Sequence, residues 1–212
     1  MLKLLLLPFF AYIIGSVPCG LILTRIFTSE DITKKGSGNI GATNVRRVAG
    51  TPLGILTLVG DVMKGSLPVY LALKMFVPES DYLLFPGIEG LNIWKELYIA
   101  VIAFSAFMGH LYPIFMKFRN GGKGVATAGG CFLVISPVSF LIAILVFIMF
   151  ICCFSRASVA SLASFGVLPV ILWESTDSHV ITGLAVIIAI FVFIRHKENI
   201  RRIWSGTEPK AN

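Results

Sequence analysis

From Val138 to Phe154 this chain contains no charged residue, and further apolar runs cover 4–26, 52–76, 97–116, 125–135, 157–173 and 178–194. No other feature constrains the fold so strongly. A hydrocarbon layer about 30 Å thick offers a peptide group no hydrogen-bond partner, so a crossing segment must satisfy its own backbone. With a rise of 1.5 Å per residue, a helix does this in about 20 residues. Run 125–135 is too short and reads as a half-helix stopped near Ser136-Pro137. Residues 125–154 fit one kinked helix, two spans or a re-entrant pair. The sequence predicts an all-α, polytopic integral membrane protein of about seven transmembrane helices, one or more of them short or broken. A single membrane-embedded domain then fills residues 1–212.

Composition closes the other routes. Hydrophobic residues make up 56% of the chain and charged residues 14%, against roughly a half and a quarter in soluble domains. The first apolar block, Leu4 to Ile26, is too long for the core of a signal peptide. It carries Gly15 and Pro18 mid-run and lacks a small-residue cleavage site, so it reads as a retained span. The net charge of +7 does not indicate nucleic acid, because the 17 Phe lie mostly in apolar blocks and do not interleave with a basic patch. It suits anionic lipid headgroups. Cys19, Cys131, Cys152 and Cys153 lie in or beside apolar runs without metal-ligand spacing and read as packing residues.

Charge also orients the chain. Arg25, Lys34, Lys35, Arg46 and Arg47 border or occupy the first long loop. Lys117, Arg119 and Lys123 occupy a second, Arg156 a third, and Arg195, Lys197, Arg201, Arg202 and Lys210 follow the last span. The alternate loops hold Glu79, Asp81, Glu89, Glu96, Glu174 and Asp177, with Lys95 as the one cation. The positive-inside rule then predicts an external N-terminus and a cytoplasmic C-terminus. All the polar motifs fall on the cytoplasmic face.

Three such motifs stand out. Residues 37–47 hold Ser37, Gly38, Asn39, Gly41, Thr43, Asn44 and Arg47. Glycines let backbone amides approach an anion, hydroxyls and amides add neutral hydrogen bonds, and a guanidinium grips phosphate through two donors. Residues 120–127 hold Gly121, Gly122, Lys123 and Gly124. This stretch is not a nucleotide-binding P-loop, because Gly124 follows the lysine and Lys117 stands where the earlier glycine belongs. A lysine, glycine amides and a following helix N-terminus still favour an anion. Residues 196–208 hold His196, Asn199, Arg202 and Glu208; in a helix the first three share a face. Inside the apolar runs, Asp61 and Lys64 are three apart on one span, as ion-pair partners or as functional groups. Gly109-His110 sits late in the third span.

Taken together, Ser-Gly-Asn-x-Gly-x-Thr-Asn-x-x-Arg at 37–47, Gly-Gly-Lys-Gly-Val-Ala-Thr at 121–127 and His-x-x-Asn-Ile-x-Arg at 196–202 with Gly206-x-Glu208 resemble a known set of signatures. They look like those of the bacterial acyl-phosphate:glycerol-3-phosphate acyltransferases (PlsY-type). Asp61-x-x-Lys64-Gly65 and Gly109-His110 resemble the same pattern, and loop 77–96 looks longer than usual. The resemblance implies a seven-span enzyme of the bacterial cytoplasmic membrane, with its active site on the cytoplasmic side. It implies transfer of a fatty acyl group from acyl phosphate to the sn-1 hydroxyl of glycerol 3-phosphate, giving lysophosphatidic acid and phosphate. This is the first step of phospholipid synthesis, and a peripheral acyl-phosphate synthase would supply the donor. No cofactor, coenzyme A or metal is implied. No His is followed five positions on by Asp, as acyl-CoA-dependent glycerophosphate acyltransferases require, and no Asp cluster is set out to hold Mg²⁺.

By the same resemblance Ser37, Arg47, Lys123 and His196 are the catalytic candidates. Gly38, Asn39, Gly41, Thr43, Asn44, Lys64, Gly121, Gly122, Gly124, Asn199, Arg202 and Glu208 would bind substrate or phosphate. Ser37, Asn39 and Arg47 would hold the donor, and His196, Asn199 and their neighbours the acceptor. Three routes for the reaction stay open: the leaving phosphoryl group takes the proton, His196 takes it, or Ser37 is acylated. A small transporter of an anionic solute is the alternative from another class, with Asp61, Lys64 and the broken span as its site.

Overall fold

The computed structural model describes residues 2–76 and 91–211, with the backbone alone for residues 2–5. Every apolar run within them is helical. The first run is not one straight span: it forms α1 (Leu2–Gly15) and α2 (Cys19–Phe27), bent by 42°. Pro18 has no N–H and disfavours helix at the residue before it, so the ladder breaks there. The break leaves the Val17 carbonyl outside the helical ladder. The Cys19 N–H donates to it at 3.0 Å, and the Lys64 ammonium donates at 2.9 Å.

A short polar helix, α3 (Ala42–Ala49), follows the first motif. The next spans are α4 (Thr51–Leu73) and α5 (Ile93–Leu111), the latter ending before Pro113 and continuing as a 3₁₀ turn at Ile114–Met116. Helix α6 (Val125–Ile135) occupies the predicted half-span, and α7 (Pro137–Phe154) starts after a single residue. Ser136 is extended, at φ −147° and ψ 89°, so residues 125–154 are two helices and not one kinked helix. Then come α8 (Ala157–Thr176), α9 (His179–Arg195) and α10 (Lys197–Trp204).

Among the described residues, four helices are long and apolar enough to cross a membrane alone, or six spans if α1–α2 and α9–α10 each count as a bent one. Four of the eight residues of α10 are charged, so the apolar part of the second pair is α9. The expected number of about seven therefore includes α6, which at 11 residues is too short to cross. The acidic residues of loop 77–90 lie outside the described residues.

Helix α6 is nevertheless firmly held, lying against α4 through small residues. A Cβ on Gly65 would enter the Thr127 carbonyl, and one on Gly130 would enter the Val62 carbonyl. Backbones approach this closely only where side chains are absent. Phe107, Phe132, Leu73 and Ile102 fill the core around this contact, all fully buried or nearly so. Helix α7 instead turns Val138, Leu141, Leu145 and Met149 outward, as a lipid-facing surface requires.

Candidate active site

The first motif folds around Asn44. Its side chain is 2% exposed; the Ser37 N–H donates to Oδ1 at 2.8 Å, and Nδ2 donates to the carbonyls of Asn39, Ile32 and Lys35. Gly36 and Gly38 take left-handed backbone angles, φ 61° and 69°, which a Cβ penalises. Asn39 Oδ1 accepts the Gly41 N–H at 2.8 Å and fixes the entry to α3. Ile32, Ile40, Val45 and Leu21 pack beneath the loop. The polar segment is therefore a rigid platform, with the electropositive end of α3 at its rim.

The second motif packs against the end of α5. A Cβ on Gly121 would strike the Leu111 carbonyl, one on Gly122 the His110 ring, and one on Gly124 the Phe107 ring. The Gly122 N–H donates to the His110 carbonyl at 3.1 Å. Arg195, the last residue of α9, donates to the Gly121 and Gly122 carbonyls at 2.5 and 3.2 Å. Lys123 then reaches Asn199 Oδ1 at 2.5 Å. Burial depresses the Lys123 ammonium to about 8, with Arg202, Arg195 and Arg47 adding to that effect and Glu208 opposing it.

The third motif turns at His196, which is 2% exposed and stands between α9 and α10. Its Nδ1 lies 2.8 Å from the Val192 carbonyl; a carbonyl only accepts, so Nδ1 carries the proton and Nε2 the lone pair. Burial first, and the Lys123 charge second, hold this imidazole down to about 4. Glu208 is a hub. Its Oε1 accepts from the Ser158 hydroxyl and from Asn199 Nδ2, both at 2.6 Å, and Oε2 accepts from Arg202 Nε at 2.7 Å. Burial alone would raise this carboxyl, but those three donors together hold it below its ordinary range. Arg156 Nε donates to the Glu208 carbonyl at 3.1 Å, tying the C-terminal segment to the start of α8.

All three motifs open on one cavity of about 460 Å³. Ser37, Asn39, Gly41, Thr43, Asn44 and Arg47 line one part of it, and Lys123, Gly124, His196, Asn199, Arg202 and Glu208 another. Leu58, Val125, Ala126 and Phe147 make an apolar side, and Asp61 and His110 also reach the cavity. Four expected contacts do not line it. Gly38 sits in a turn, while Gly121 and Gly122 serve close packing and give their carbonyls to Arg195. Lys64 is paired with Asp61 at 2.9 Å and with Val17, both side chains 4% exposed, so its charge is spent on the helix break. Asn44 and Glu208 do line the cavity, but most of their polar capacity goes to neighbouring protein groups.

Arg195, Arg156 and Ser158 bear on the site without a signal of their own in the sequence: the two arginines look like ordinary charges flanking a span, and a serine beginning an Ala/Ser-rich helix carries no distinguishing mark. Among the described residues no three His, Cys, Asp or Glu side chains gather as a metal site would need.

A family model for glycerol-3-phosphate acyltransferase matches residues 5–206. A glycerol-3-phosphate acyltransferase of Syntrophotalea carbinolica is 39% identical over 198 residues, covering 93% of this chain and 92% of that one. The enzyme of the same description from Geobacter sulfurreducens is 40% identical over 208 residues, covering 98% and 97%. The crystal structure of PlsY, an integral membrane glycerol 3-phosphate acyltransferase, in its glycerol 3-phosphate form matches with a TM-score of 0.86 at 31% identity over 98% of this chain and 95% of that one. Its lysophosphatidic acid form matches with a TM-score of 0.83 at 30% identity.

Proposed function

The chain belongs to the glycerol-3-phosphate acyltransferase family, and from that premise we propose that it takes its acyl group from acyl phosphate and places it on the sn-1 hydroxyl of glycerol 3-phosphate. The products are lysophosphatidic acid and phosphate. One observation carries the reading. Three segments suited to anions, distant in sequence, meet at one cavity that also has an apolar side of Leu58, Val125, Ala126 and Phe147. Such a cavity suits two phosphates held side by side and one acyl chain.

The residues divide between the substrates. Ser37, Asn39, the start of α3 and Arg47 suit the donor phosphate. Lys123, His196, Asn199 and Arg202 suit the acceptor. Arg202 and Lys123 supply charge, while Glu208 and Asn44 hold the binding groups in place. The hydroxyl oxygen attacks the acyl carbonyl carbon, the bond from that carbon to the phosphate oxygen breaks, and phosphate leaves. An acyl phosphate is already activated, so the protein's contribution is positioning and charge stabilisation.

His196 favours one route for the proton. It is held as the neutral Nδ1–H tautomer with Nε2 free to accept, so it can orient a hydroxyl. An imidazole held down to about 4 retains a proton poorly, so the leaving phosphoryl group is the better acceptor. The buried Asp61–Lys64 pair caps Val17, which weighs against a transport site there.

Arg47, Lys123 and Arg202 line the cavity, and this cluster of positive charge supports a cytoplasmic active site, a cytoplasmic C-terminus and an external N-terminus. We read the whole chain as one domain of a bacterial cytoplasmic membrane, with a peripheral acyl-phosphate synthase as supplier. The test is purified protein with palmitoyl phosphate and labelled glycerol 3-phosphate, without coenzyme A or metal. Labelled lysophosphatidic acid is expected. No product rejects the donor assignment, and equal turnover with acyl-CoA replaces it.

A further inference from the structure

We propose that Arg195 is a positioning residue, a clamp that sets where Lys123 stands relative to Asn199. The inference rests on the acyl-transfer reading above. The guanidinium makes two donations to consecutive carbonyls, 2.5 Å to Gly121 and 3.2 Å to Gly122. A planar fork matches two adjacent acceptors, which a single ammonium does not. The same guanidinium lies 5.9 Å from the centre of the Tyr112 ring, and the Tyr112 carbonyl in turn accepts the Tyr12 hydroxyl at 2.6 Å. Arg195 is therefore fixed from both sides.

The loop it grips has no slack. Gly122 is hydrogen-bonded to the His110 carbonyl, and both glycines press on α5 where no Cβ would fit. The next residue is Lys123, and its ammonium meets Asn199, four residues beyond Arg195. A closed circuit runs from the end of α9 through the two carbonyls to Lys123, across to Asn199 and back along α10. Without the clamp, one side of the loop is free to swing, and the Lys123–Asn199 contact loses its fixed length.

The test measures both Michaelis constants of Arg195→Ala and Arg195→Lys in the purified full-length protein. A displacement of about 1 Å in a positioned group is worth up to about a hundredfold in rate. Arg195→Ala is expected to raise KM for glycerol 3-phosphate about tenfold or more, with KM for palmitoyl phosphate changing less than about threefold. Arg195→Lys is expected to recover part of the loss. Added to Lys123→Ala, the change is expected to cost less than about threefold more, because both act through one contact. An unchanged KM for glycerol 3-phosphate overturns the proposal, as do equal losses for both substrates or losses that multiply in the double variant. If Arg195→Ala does not survive purification, Arg195→Lys carries the same comparison. Wild-type protein that makes no product under these conditions refutes the acyl-transfer reading, and with it this inference.

Discussion

Replacing Glu208 by Gln changes one atom in volume terms but reverses one interaction. Glu208 Oε2 accepts from Arg202 Nε at 2.7 Å; a side-chain amide nitrogen in that place would set a donor against a donor. The Oε1 bonds from Ser158 and Asn199, both 2.6 Å, survive with a neutral acceptor in place of a charged one. A hydrogen bond to a charged group contributes about 1.5–3 kcal/mol, and the Arg202 side chain is 36% exposed, so water recovers part of the loss. We therefore expect about 1–2 kcal/mol, or roughly a five- to thirtyfold fall in kcat/KM for glycerol 3-phosphate. The loss should appear in KM, since Asn199, which this carboxylate holds, is the partner of Lys123. The assay is steady-state formation of labelled lysophosphatidic acid at saturating palmitoyl phosphate, with the unfolding midpoint measured alongside. An unchanged KM for glycerol 3-phosphate would show that the Glu208 hub does not organise the acceptor site. Acid should mimic the substitution. A carboxyl held below its ordinary range contributes stability that is complete above its unfolded pKa and lost as pH falls through the folded one.

Four other outcomes are expected. Gly122→Ala drives a methyl group into the His110 ring and should lower kcat/KM by about a hundredfold through the displaced loop, read in the same assay. Burial holds Lys123 at about 8, so kcat/KM for glycerol 3-phosphate should fall as pH rises through about 8, and Lys123→Met should remove that limb from the pH profile. Lys64→Met strands a buried Asp61 and should destabilise the protein by about 3–5 kcal/mol, seen as a lowered unfolding midpoint that Asp61→Asn in the same chain partly restores. His196→Gln should raise KM with kcat preserved if phosphate takes the proton; a collapsed kcat rescued at higher pH would assign that role to His196.

Much of the fold was legible because hydrocarbon leaves the backbone few choices. Runs such as 138–154 had to be helical, and the start of α7 followed from Pro137; α5, by contrast, ends at Leu111 before Pro113, inside a run expected to continue to 116. The short α6 was legible for the same reason: its run stops before Ser136-Pro137. Pro18 was equally visible in the sequence, yet its consequence was not. A proline breaks a membrane helix only where something caps the freed carbonyl, and that cap, Lys64, lies on another helix. The short helix α3 carries an apolar period, Val45, Val48 and Ala49, but over only eight residues, too few to mark it off from the surrounding loop.

The sequence by itself determined that this is an all-helical membrane protein with three polar segments rich in glycine, amide and positive charge, because apolar length, glycine and charge are local properties. Only the tertiary structure decided which polar groups remain for a substrate. Asn44 turns inward to tie its own loop, Gly121 and Gly122 give their carbonyls to Arg195, and Lys64 is used by Asp61 and Val17. Lys123, His196 and Arg47 are left at the cavity. A buried hydrogen-bonding group must find a partner, and when that partner lies tens of residues away, packing alone determines which groups are taken and which stay open.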